Sequence, residues 1–341
     1  MDLIPLSEIK QFHAEIEATV DNVPEIDTWC SSPDWAMATF VGFGESVEPL
    51  MLRHRYPGER ASFALLGINR SEAGTVITGI EPMWGFGCPV VSPTPQRFAT
   101  HLAQHLPSLV DYDVLALAGI PIPQSVSSRG PDLPLLHQLA LGFASHGPAY
   151  QAEGITRQVI DLRSGEDAWW ATRGSKFRRN VRRVAARASQ QDIRIVELVD
   201  SDTVAPDAAF SRLLEIEHRS WKGIEGSGML APEMERMYRQ LFRRLHATGR
   251  LRAYVAVRGD TDIGYIFGGV RNRRYRGLQL SYVADAGSTS VGHVLQLHQL
   301  RELFSSGEAD AYDMGMDMEY KRRWADHSQT TVTFVVHRSS S

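Results

Sequence analysis

The segment from Asp313 to Lys321 concentrates side chains that could carry out proton-transfer chemistry. If its first part is a strand, period-two alternation places Asp313 and Asp317 on one face and the apolar residues on the other. With the apolar face on a core, the two carboxylates would face a cleft. Asp317 could instead cap the helix that follows. Tyr320 could donate a proton and Lys321 could hold an oxyanion or a phosphate, or they could be a buried aromatic beside a solvated cation.

A second group of candidates lies on the helix predicted over residues 207–223. Leu214, His218 and Trp221 follow i, i+4, i+7 spacing, which predicts that they share a face and that His218 points inward. Glu217 and His218 could therefore act as bases from this helix. A histidine on an apolar face can equally be a hydrogen-bonded core residue, and both interpretations of His218 stay open.

A strand–loop–helix connection is the candidate site for an anion. A strand ends near Tyr282, a loop of small residues follows, and a helix begins near Gly292. Unpaired N–H groups and the dipole at such a helix N-terminus suit a pyrophosphate, although an ordinary connection would look the same. The loop is neither a Walker loop nor a dinucleotide fingerprint. The candidate residues are Ser281, Tyr282, Val283, Ser290, Val291, Gly292 and His293.

Composition and charge restrict the class of protein. The chain has 341 residues, 43% of them apolar, which is enough for two domains and too apolar for a disordered chain. Residues 1–150 hold 7 Lys/Arg against 16 Asp/Glu, a net charge of −9, and residues 151–341 hold 29 against 24, a net charge of +5. Cys30 and Cys88 cannot build a disulfide framework, and no ligand spacing indicates a metal site. We expect a cytoplasmic protein without signal peptide, membrane span or metal.

The order of the predicted elements organises these candidates. The first half alternates helices and strands as a small mixed α/β unit. The second half contains an Arg-rich helix over 175–187 and a hairpin whose turn is Asn272-Arg273. The anion loop, a helix and two more strands complete the order. The predicted fold class is α/β with a mixed sheet, in two domains that meet near residue 150.

This order resembles that of the GNAT acyltransferases, whose acyl-coenzyme A loop follows the pattern Arg/Gln-x-x-Gly-x-Gly/Ala. Gly292 matches this pattern, while Thr289 and Val294 depart from it. Three further motifs look like the CelD/BcsL-like branch of the superfamily, which is related in architecture to Fem-type aminoacyl transferases. They are Asn180-Val-Arg-Arg, Glu217-His-Arg-Ser-Trp-Lys222 and Asp313-Met-Gly-Met-Asp317-x-x-Tyr320-Lys321-x-x-Trp324.

The resemblance implies two fused GNAT-like domains: a degenerate one over 1–150 and an acyltransferase domain over 151–338, followed by a tail at 339–341. It implies an N-acyltransferase that moves an acyl group, with acetyl as the first expectation, from coenzyme A directly to an amine or hydroxyl. The acceptor would be a small molecule or a cell-envelope precursor. The catalytic candidates are Glu217, His218, Asp313, Asp317, Tyr320 and Lys321. The resemblance requires no metal and leaves the oligomeric state open.

The Arg-rich helix carries much of the positive charge of the second half. Arg179 and Arg183 lie on one helical stripe. Together with Trp221, they are candidates to bind coenzyme A or an anionic substrate. If the anion were the acceptor stem of a tRNA, the protein would be a Fem-type aminoacyl-tRNA-dependent transferase. Without such a donor we do not expect nucleic acid, because the helix lacks exposed aromatics for stacking. The stripe could also be a solvated face. The departures at Thr289 and Val294 allow a third alternative, a non-catalytic binding protein.

Overall fold

The computed structural model describes residues 1–23, 25–122, 133–198 and 205–338. The chain divides into two compact units, of which the first comprises Met1–Thr156 and the segment from Gln329 onward, and the second Arg157–Ser328. The sequence had placed the boundary near residue 150 and all of 151–338 in the second domain. The difference arises because the C-terminal strand pairs with a strand of the first unit. The predicted tail at 339–341 lies outside the described residues.

The first unit is built on a sheet whose strands run in the order β1-β2-β3-β4-β6-β13, followed by the first part of β7, with β5 beside β3. Its elements are β1 (Asp2–Ile4), α1 (Ile9–Val20), α2 (Pro33–Phe43), β2 (Glu48–Arg55), β3 (Ala61–Ser71), β4 (Gly74–Gly79), β5 (Val90–Val91), α3 (Pro95–Leu109), β6 (Val114–Pro121), α4 (Leu135–Gly142), β7 (Ala149–Asp161) and, from the chain end, β13 (His327–His337). Strand β3 is buried from Ala61 to Ile68 without alternation, because both of its faces are covered.

The second unit continues from the last part of β7 through a sheet ordered β7-β12-β11-β10-β9-β8. Its elements are α5 (Glu166–Thr172), α6 (Ser175–Gln190), β8 (Ile193–Glu197), α7 (Pro206–His218), α8 (Trp221–Ile224), α9 (Pro232–Ala247), β9 (Leu251–Arg258), β10 (Thr261–Arg271), β11 (Arg274–Tyr282), α10 (Val291–Ser306), β12 (Ala311–Met316) and α11 (Glu319–Arg322). The predicted hairpin turn is confirmed: Asn272 and Arg273 both have positive φ, as a tight β10–β11 turn requires.

Helices cover both faces of the second sheet. Phe267 of β10 contacts the rings of Phe210 on α7 and Phe242 on α9. Gly264, which has the opposite parity on the same strand, lies against Leu295 of α10. Because successive strand residues point to opposite faces, α7 and α9 lie on one side of the sheet and α10 on the other. No helix in the described part of the chain has the length and apolar character needed to cross a bilayer.

Two parallel strands of the second unit part from each other beside α10. Strands β11 and β12 are paired at Arg274↔Ala311, Tyr275↔Tyr312 and Arg276↔Asp313. Beyond the last of these pairs β11 stays with β10, and β12 stays with β7. An extra residue in β11, Leu278, forms a bulge at this point, because the β10–β11 register steps from Gln279 to Gly277. The second sheet therefore opens into a cleft between β11 and β12, which we call the strand cleft.

Candidate active site

Asp313 lies at the closed end of the strand cleft and is fully buried. Its carboxylate accepts hydrogen bonds from the guanidinium of Arg276 at 2.7 Å and from the backbone N–H of Gly315 at 2.8 Å, and it lies 3.1 Å from a guanidinium nitrogen of Arg157. The prediction that Asp313 and Asp317 face a cleft together is wrong. The β12–β7 register shifts between Asp313 and Met316, and Gly315 has φ +80°, so the alternation of the strand is interrupted.

Asp317 is partly exposed and is held in a polar cluster at the end of β12. Its carboxylate pairs with Arg322 and accepts a hydrogen bond of 2.9 Å from the side-chain amide of Gln158. The hydrogen bond from Arg322 holds the pKa of Asp317 below its ordinary value. Asp317 does not cap the next helix, since Met318 is the N-cap of α11. Asp317 is therefore a carboxylate already neutralised by its neighbours.

Tyr320 and Lys321 follow directly on α11. The Lys321 ammonium donates a hydrogen bond of 3.0 Å to the backbone carbonyl of Met316. Burial, with the nearby guanidinium of Arg276, lowers the pKa of Lys321 to about 8. Tyr320 is 45% exposed as a residue, but its hydroxyl is the more buried part, and this burial raises the pKa of the phenol. A partly buried amine and a phenol with a partly buried hydroxyl therefore lie side by side, both close to the strand cleft.

Glu217 is buried at the end of α7 and its oxygens are already engaged. One oxygen accepts hydrogen bonds from the hydroxyls of Tyr265 at 3.1 Å and Ser220 at 3.2 Å, and the other accepts from the backbone N–H of Met229 at 3.2 Å. A carboxylate used in this way joins α7 to β10 and to the loop after α8. Glu217 is therefore better placed to organise the site than to accept a proton from a substrate.

The prediction that His218 points inward is wrong. The buried residues of α7 include Phe210, Leu213, Leu214 and Glu217, which follow i, i+3, i+4, i+7 spacing, and His218 lies one position beyond this stripe. His218 is exposed. Trp221, on α8, is also exposed, with 48% of its surface accessible. The i, i+4 pattern through Leu214 failed because Leu214 lies at the edge of the apolar stripe and not at its centre.

Lys222 was missed by the sequence analysis, although it lies at the wall of the strand cleft. Its ammonium donates hydrogen bonds to the backbone carbonyl of Leu280 at 2.9 Å and to the side chain of Gln279 at 3.3 Å. Gln279 in turn donates to the hydroxyl of Tyr238 at 2.9 Å. Burial lowers the pKa of Lys222, and the nearby charge of Glu217 opposes that shift. The motif that ends at Lys222 gives no sign of these contacts, because its partners Gln279 and Leu280 are 57 and 58 residues away in sequence.

The predicted anion loop begins its helix as expected, but only some of its residues are accessible. Ser281, Val283 and Val291 are buried. Ser290 is the N-cap of α10 with φ +57°, and its carbonyl accepts from the N–H of His293 at 2.9 Å. Gly292 packs on Tyr282, since a Cβ at position 292 would lie 3.0 Å from that ring. The side chain available at the first turn of α10 is therefore His293.

A cavity of about 990 Å³ brings together four of the predicted residues: Arg179, Arg183, His293 and Tyr320. It is formed by the Arg-rich helix α6, the start of α10 and the segment 318–324. We call it the basic pocket. Burial, with the charge of Arg323, lowers the pKa of His293, which favours the neutral imidazole. The other residues that line the basic pocket are Gly174, Lys176, Phe177, Asn180, Met318, Glu319, Arg323 and Trp324.

The cations that α6 contributes to the basic pocket are not paired with carboxylates in the described part of the chain, whereas Arg323 pairs with Glu319 at 2.9 Å. Of the cations on α6, Arg183 donates to Asn180 at 2.8 Å and Arg178 to the Trp170 carbonyl at 3.3 Å, both neutral groups. Within the described residues no ion pair joins Lys176 or Arg179 to an acidic side chain. The buried stripe of α6 consists of Val181, Val184 and Ala188, so the arginines lie on the opposite, exposed side. Unneutralised cations around a cavity are suited to a ligand with several negative charges.

Residues 175–322 match the family model of the acetyltransferase (GNAT) domain. This GNAT domain lies within the second unit and contains the strand cleft, α10 and both Tyr320 and Lys321. It spans less than half of the chain. No curated protein matches the sequence. The CelD/BcsL-like branch stays a prediction, while the resemblance to a GNAT domain agrees with the family-model match over residues 175–322.

Three solved structures share the fold along nearly the whole chain. A conserved protein of unknown function from Bacteroides thetaiotaomicron VPI-5482 has a TM-score of 0.62 at 9% identity, with 98% of each chain covered. FemX has a TM-score of 0.60 at 10% identity, covering 99% of this chain and 96% of its own. A tandem GNAT protein from the clavulanic acid biosynthesis pathway has a TM-score of 0.51 at 12% identity, covering 100% and 99%. The α/β fold of two fused GNAT-like domains is confirmed.

The first unit also contains two parallel strands that diverge, but a loop fills the space between them. Strands β4 and β6 pair in parallel at Val76↔Val114 and Ile77↔Leu115. Glu81 accepts hydrogen bonds from the backbone N–H groups of residues 84–87 and shapes this loop. A Cβ on Gly119 of β6 would lie 2.3 Å from the backbone of Gly87, so the loop lies against β6. The cavity left beside this loop is about 290 Å³, and the degenerate character of the first domain stays a prediction.

Proposed function

We propose that the second unit transfers an acyl group, acetyl in the first instance, from coenzyme A to an amine or hydroxyl of a small molecule or cell-envelope precursor. The observation that carries this proposal is the combination of the strand cleft with the basic pocket at the start of α10. The strand cleft and most residues of the basic pocket, including Arg179, Arg183 and Tyr320, lie inside the segment that matches the GNAT acetyltransferase domain.

The basic pocket would hold the phosphates of the donor. Arg179 and Arg183 would pair with phosphate oxygens, which guanidinium groups bind through two parallel hydrogen bonds. The first turn of α10 adds backbone N–H groups and the positive end of the helix dipole. His293 and Tyr320 line the same cavity, so a donor with its phosphates on α6 and α10 can direct its thioester toward Tyr320.

The residues of α11 would assist the direct transfer. When the acceptor nitrogen or oxygen bonds to the acyl carbon, the carbonyl oxygen gains negative charge, and the Lys321 ammonium could stabilise it. As the carbon–sulfur bond breaks, the phenol of Tyr320 would donate a proton to the leaving thiolate, and the proton released by the acceptor nitrogen or oxygen would return to the phenolate through water. Asp313 and Glu217 would act by holding the cleft, since their oxygens are already hydrogen-bonded inside the protein.

Isothermal titration with acetyl-coenzyme A, longer acyl-coenzyme A and free coenzyme A tests the donor. We expect binding of all three, weakened at least about tenfold by the double substitution Arg179→Glu with Arg183→Glu, because two charge-assisted contacts are lost. The matched control is Arg182→Glu, which reverses an exposed charge on the same helix outside the pocket. Absence of binding by the unaltered protein would overturn the donor assignment.

An aminoacyl-tRNA is the second candidate donor, and the extent of the charged face favours it. The exposed cations of α6 continue beyond the basic pocket to Arg182 and Arg187, where coenzyme A would make no contact. A tRNA acceptor stem would cover this whole face and lose affinity with each reversed charge. In that case Arg182→Glu with Arg187→Glu weakens tRNA binding as much as the pocket substitutions do. Binding of either donor without acyl transfer to any amine or hydroxyl would instead indicate a non-catalytic binding protein.

A further inference from the structure

In the first unit, α1 and α2 bring three metal-ligating side chains together. His13 and Glu17 are spaced i, i+4 and therefore share a face of α1. Asp34 lies in the first turn of α2, which begins at the N-cap Ser32. The imidazole Nε2 of His13 lies 2.9 Å from Oδ1 of Asp34, and one ligand atom from each of the three residues lies within 4.8 Å of the others.

The chemistry of this set suits a divalent cation. It offers one imidazole nitrogen and two carboxylate oxygens, ligands that zinc binds at about 2.0–2.2 Å. Tetrahedral coordination at those lengths separates the ligand atoms by roughly 3.4 Å. Small side-chain shifts would therefore bring the three ligand atoms from their observed spacing, within 4.8 Å, to that geometry. Because oxygens of two carboxylates and an imidazole nitrogen all lie within 4.8 Å of one another, a divalent cation placed among them would be attracted to both carboxylates.

The surroundings favour a preformed site with an entrance. Asp34 is buried, with 8% of its side chain exposed, whereas His13 is 30% exposed and Glu17 is partly buried. The buried residues Ile16 and Val20 anchor α1, and the Ser32 hydroxyl, which accepts from the N–H of Trp35, anchors α2. The ligands therefore project from two packed helices, and a cation could enter past His13.

We propose that His13, Glu17 and Asp34 form a binding site for one divalent transition cation of the zinc class, with water completing its coordination. The site is independent of acyl transfer in the second unit. Because the three ligands come from two helices, bound metal would tie α1 to α2 and stabilise the folded first unit in proportion to its occupancy.

The test is titration of the full-length, chelator-treated protein with zinc chloride, followed by calorimetry. We expect one zinc per chain, a dissociation constant in the micromolar range or below, and a higher melting temperature with zinc. His13→Asn and Glu17→Gln should each weaken binding at least about tenfold. Both residues are partly exposed, so these variants avoid the folding risk of changing buried Asp34. Cobalt substitution should give a visible absorption spectrum that both variants abolish.

The control variant is His101→Asn, which removes the central ring of the stacked histidines His54, His101 and His105 elsewhere in the first unit. It should bind zinc like the unaltered protein. The proposal is overturned if the unaltered protein binds no zinc at 100 micromolar or if Glu17→Gln and His13→Asn bind it unchanged. It is also overturned if His101→Asn removes the binding, which would place the metal on the histidine stack.

Discussion

The guanidinium of Arg276 lies 2.7 Å from the carboxylate of Asp313, at the last position where β11 and β12 are paired. Beyond this pair the strands separate and the cleft begins. Arg157 reaches the same carboxylate at 3.1 Å from β7. The ion cluster therefore closes the end of the cleft, and Asp313 serves the site by holding three strands in register.

Replacing Asp313 should destabilise the protein strongly. Asp313→Ala leaves the buried guanidinium groups of Arg157 and Arg276 without this carboxylate, and breaking a buried pair from one side costs about 3–5 kcal/mol. Urea unfolding measures the loss, with Asp317→Asn as the partly exposed control, which is expected to lose far less stability because its ion pair is open to solvent. If Asp313→Ala retained full stability and lost only activity, Asp313 would be a catalytic base after all.

Glu217 and His218 are neighbours in sequence, yet their substitutions should differ. Glu217→Gln replaces an acceptor oxygen with a donor amide beside two hydroxyls and a backbone N–H, which costs about 1–3 kcal/mol in the free energy of unfolding. His218→Ala changes an exposed residue and should stay within about 0.5 kcal/mol. Thermal and urea unfolding of both variants check this. Equal effects of the two substitutions would contradict the buried position of Glu217.

Tyr320→Phe removes the proposed acid without removing the ring. Under the coenzyme A proposal, kcat should fall roughly 10²-fold, because general acid catalysis contributes about that much or more. Donor affinity should stay within about twofold, since the ring still lines the pocket. Steady-state kinetics with calorimetry separate the two effects, and Tyr150→Phe in the first unit is the control. Unchanged turnover would remove Tyr320 from the mechanism and leave the donor assignment intact.

Lys321 should give the protein a pH-dependent stability. Its pKa is lowered from 10.5 to about 8 in the folded protein by burial. Between about pH 8 and 10.5 the unfolded chain therefore binds more protons at this residue, so its contribution to the free energy of unfolding rises with pH in that window. Below pH 8 both states are protonated and the penalty for the buried charge is present in full.

Lys321→Met should remove that rise and stabilise the protein near neutral pH. Urea unfolding across the window measures both effects against Lys176→Met, which removes an exposed ammonium on α6. The same slope in Lys321→Met and in the unaltered protein would show that Lys321 is hydrated in the folded state.

Several features of the site could be predicted from sequence because they depend on local pattern. Hydrophobic periodicity identified the Arg-rich helix and the strand that ends at Tyr282. The small residues before Gly292 indicated the start of α10, and Asn272-Arg273 indicated the turn before β11. These signals act over a few residues, because side-chain periodicity, turns and helix starts are set by neighbouring positions in the chain. The GNAT resemblance followed from the order of such elements, and the match over 175–322 confirmed it.

Only the tertiary structure decided which side chains are available for chemistry. Asp313 is buried and forms ion pairs with Arg157 and Arg276, which lie on other strands. The irregularity of β12 at Gly315 interrupts the alternation on which the prediction that Asp313 and Asp317 share a face depended. The Lys222 ammonium is hydrogen-bonded to the carbonyl of Leu280, which is 58 residues away in sequence. The imidazole of His13 is hydrogen-bonded to Asp34, which is 21 residues away. The sequence by itself determined the elements and their order, since these follow from local periodicity. Burial, ion pairing and pKa depend on register, bulges and packing between distant segments, which no local pattern records.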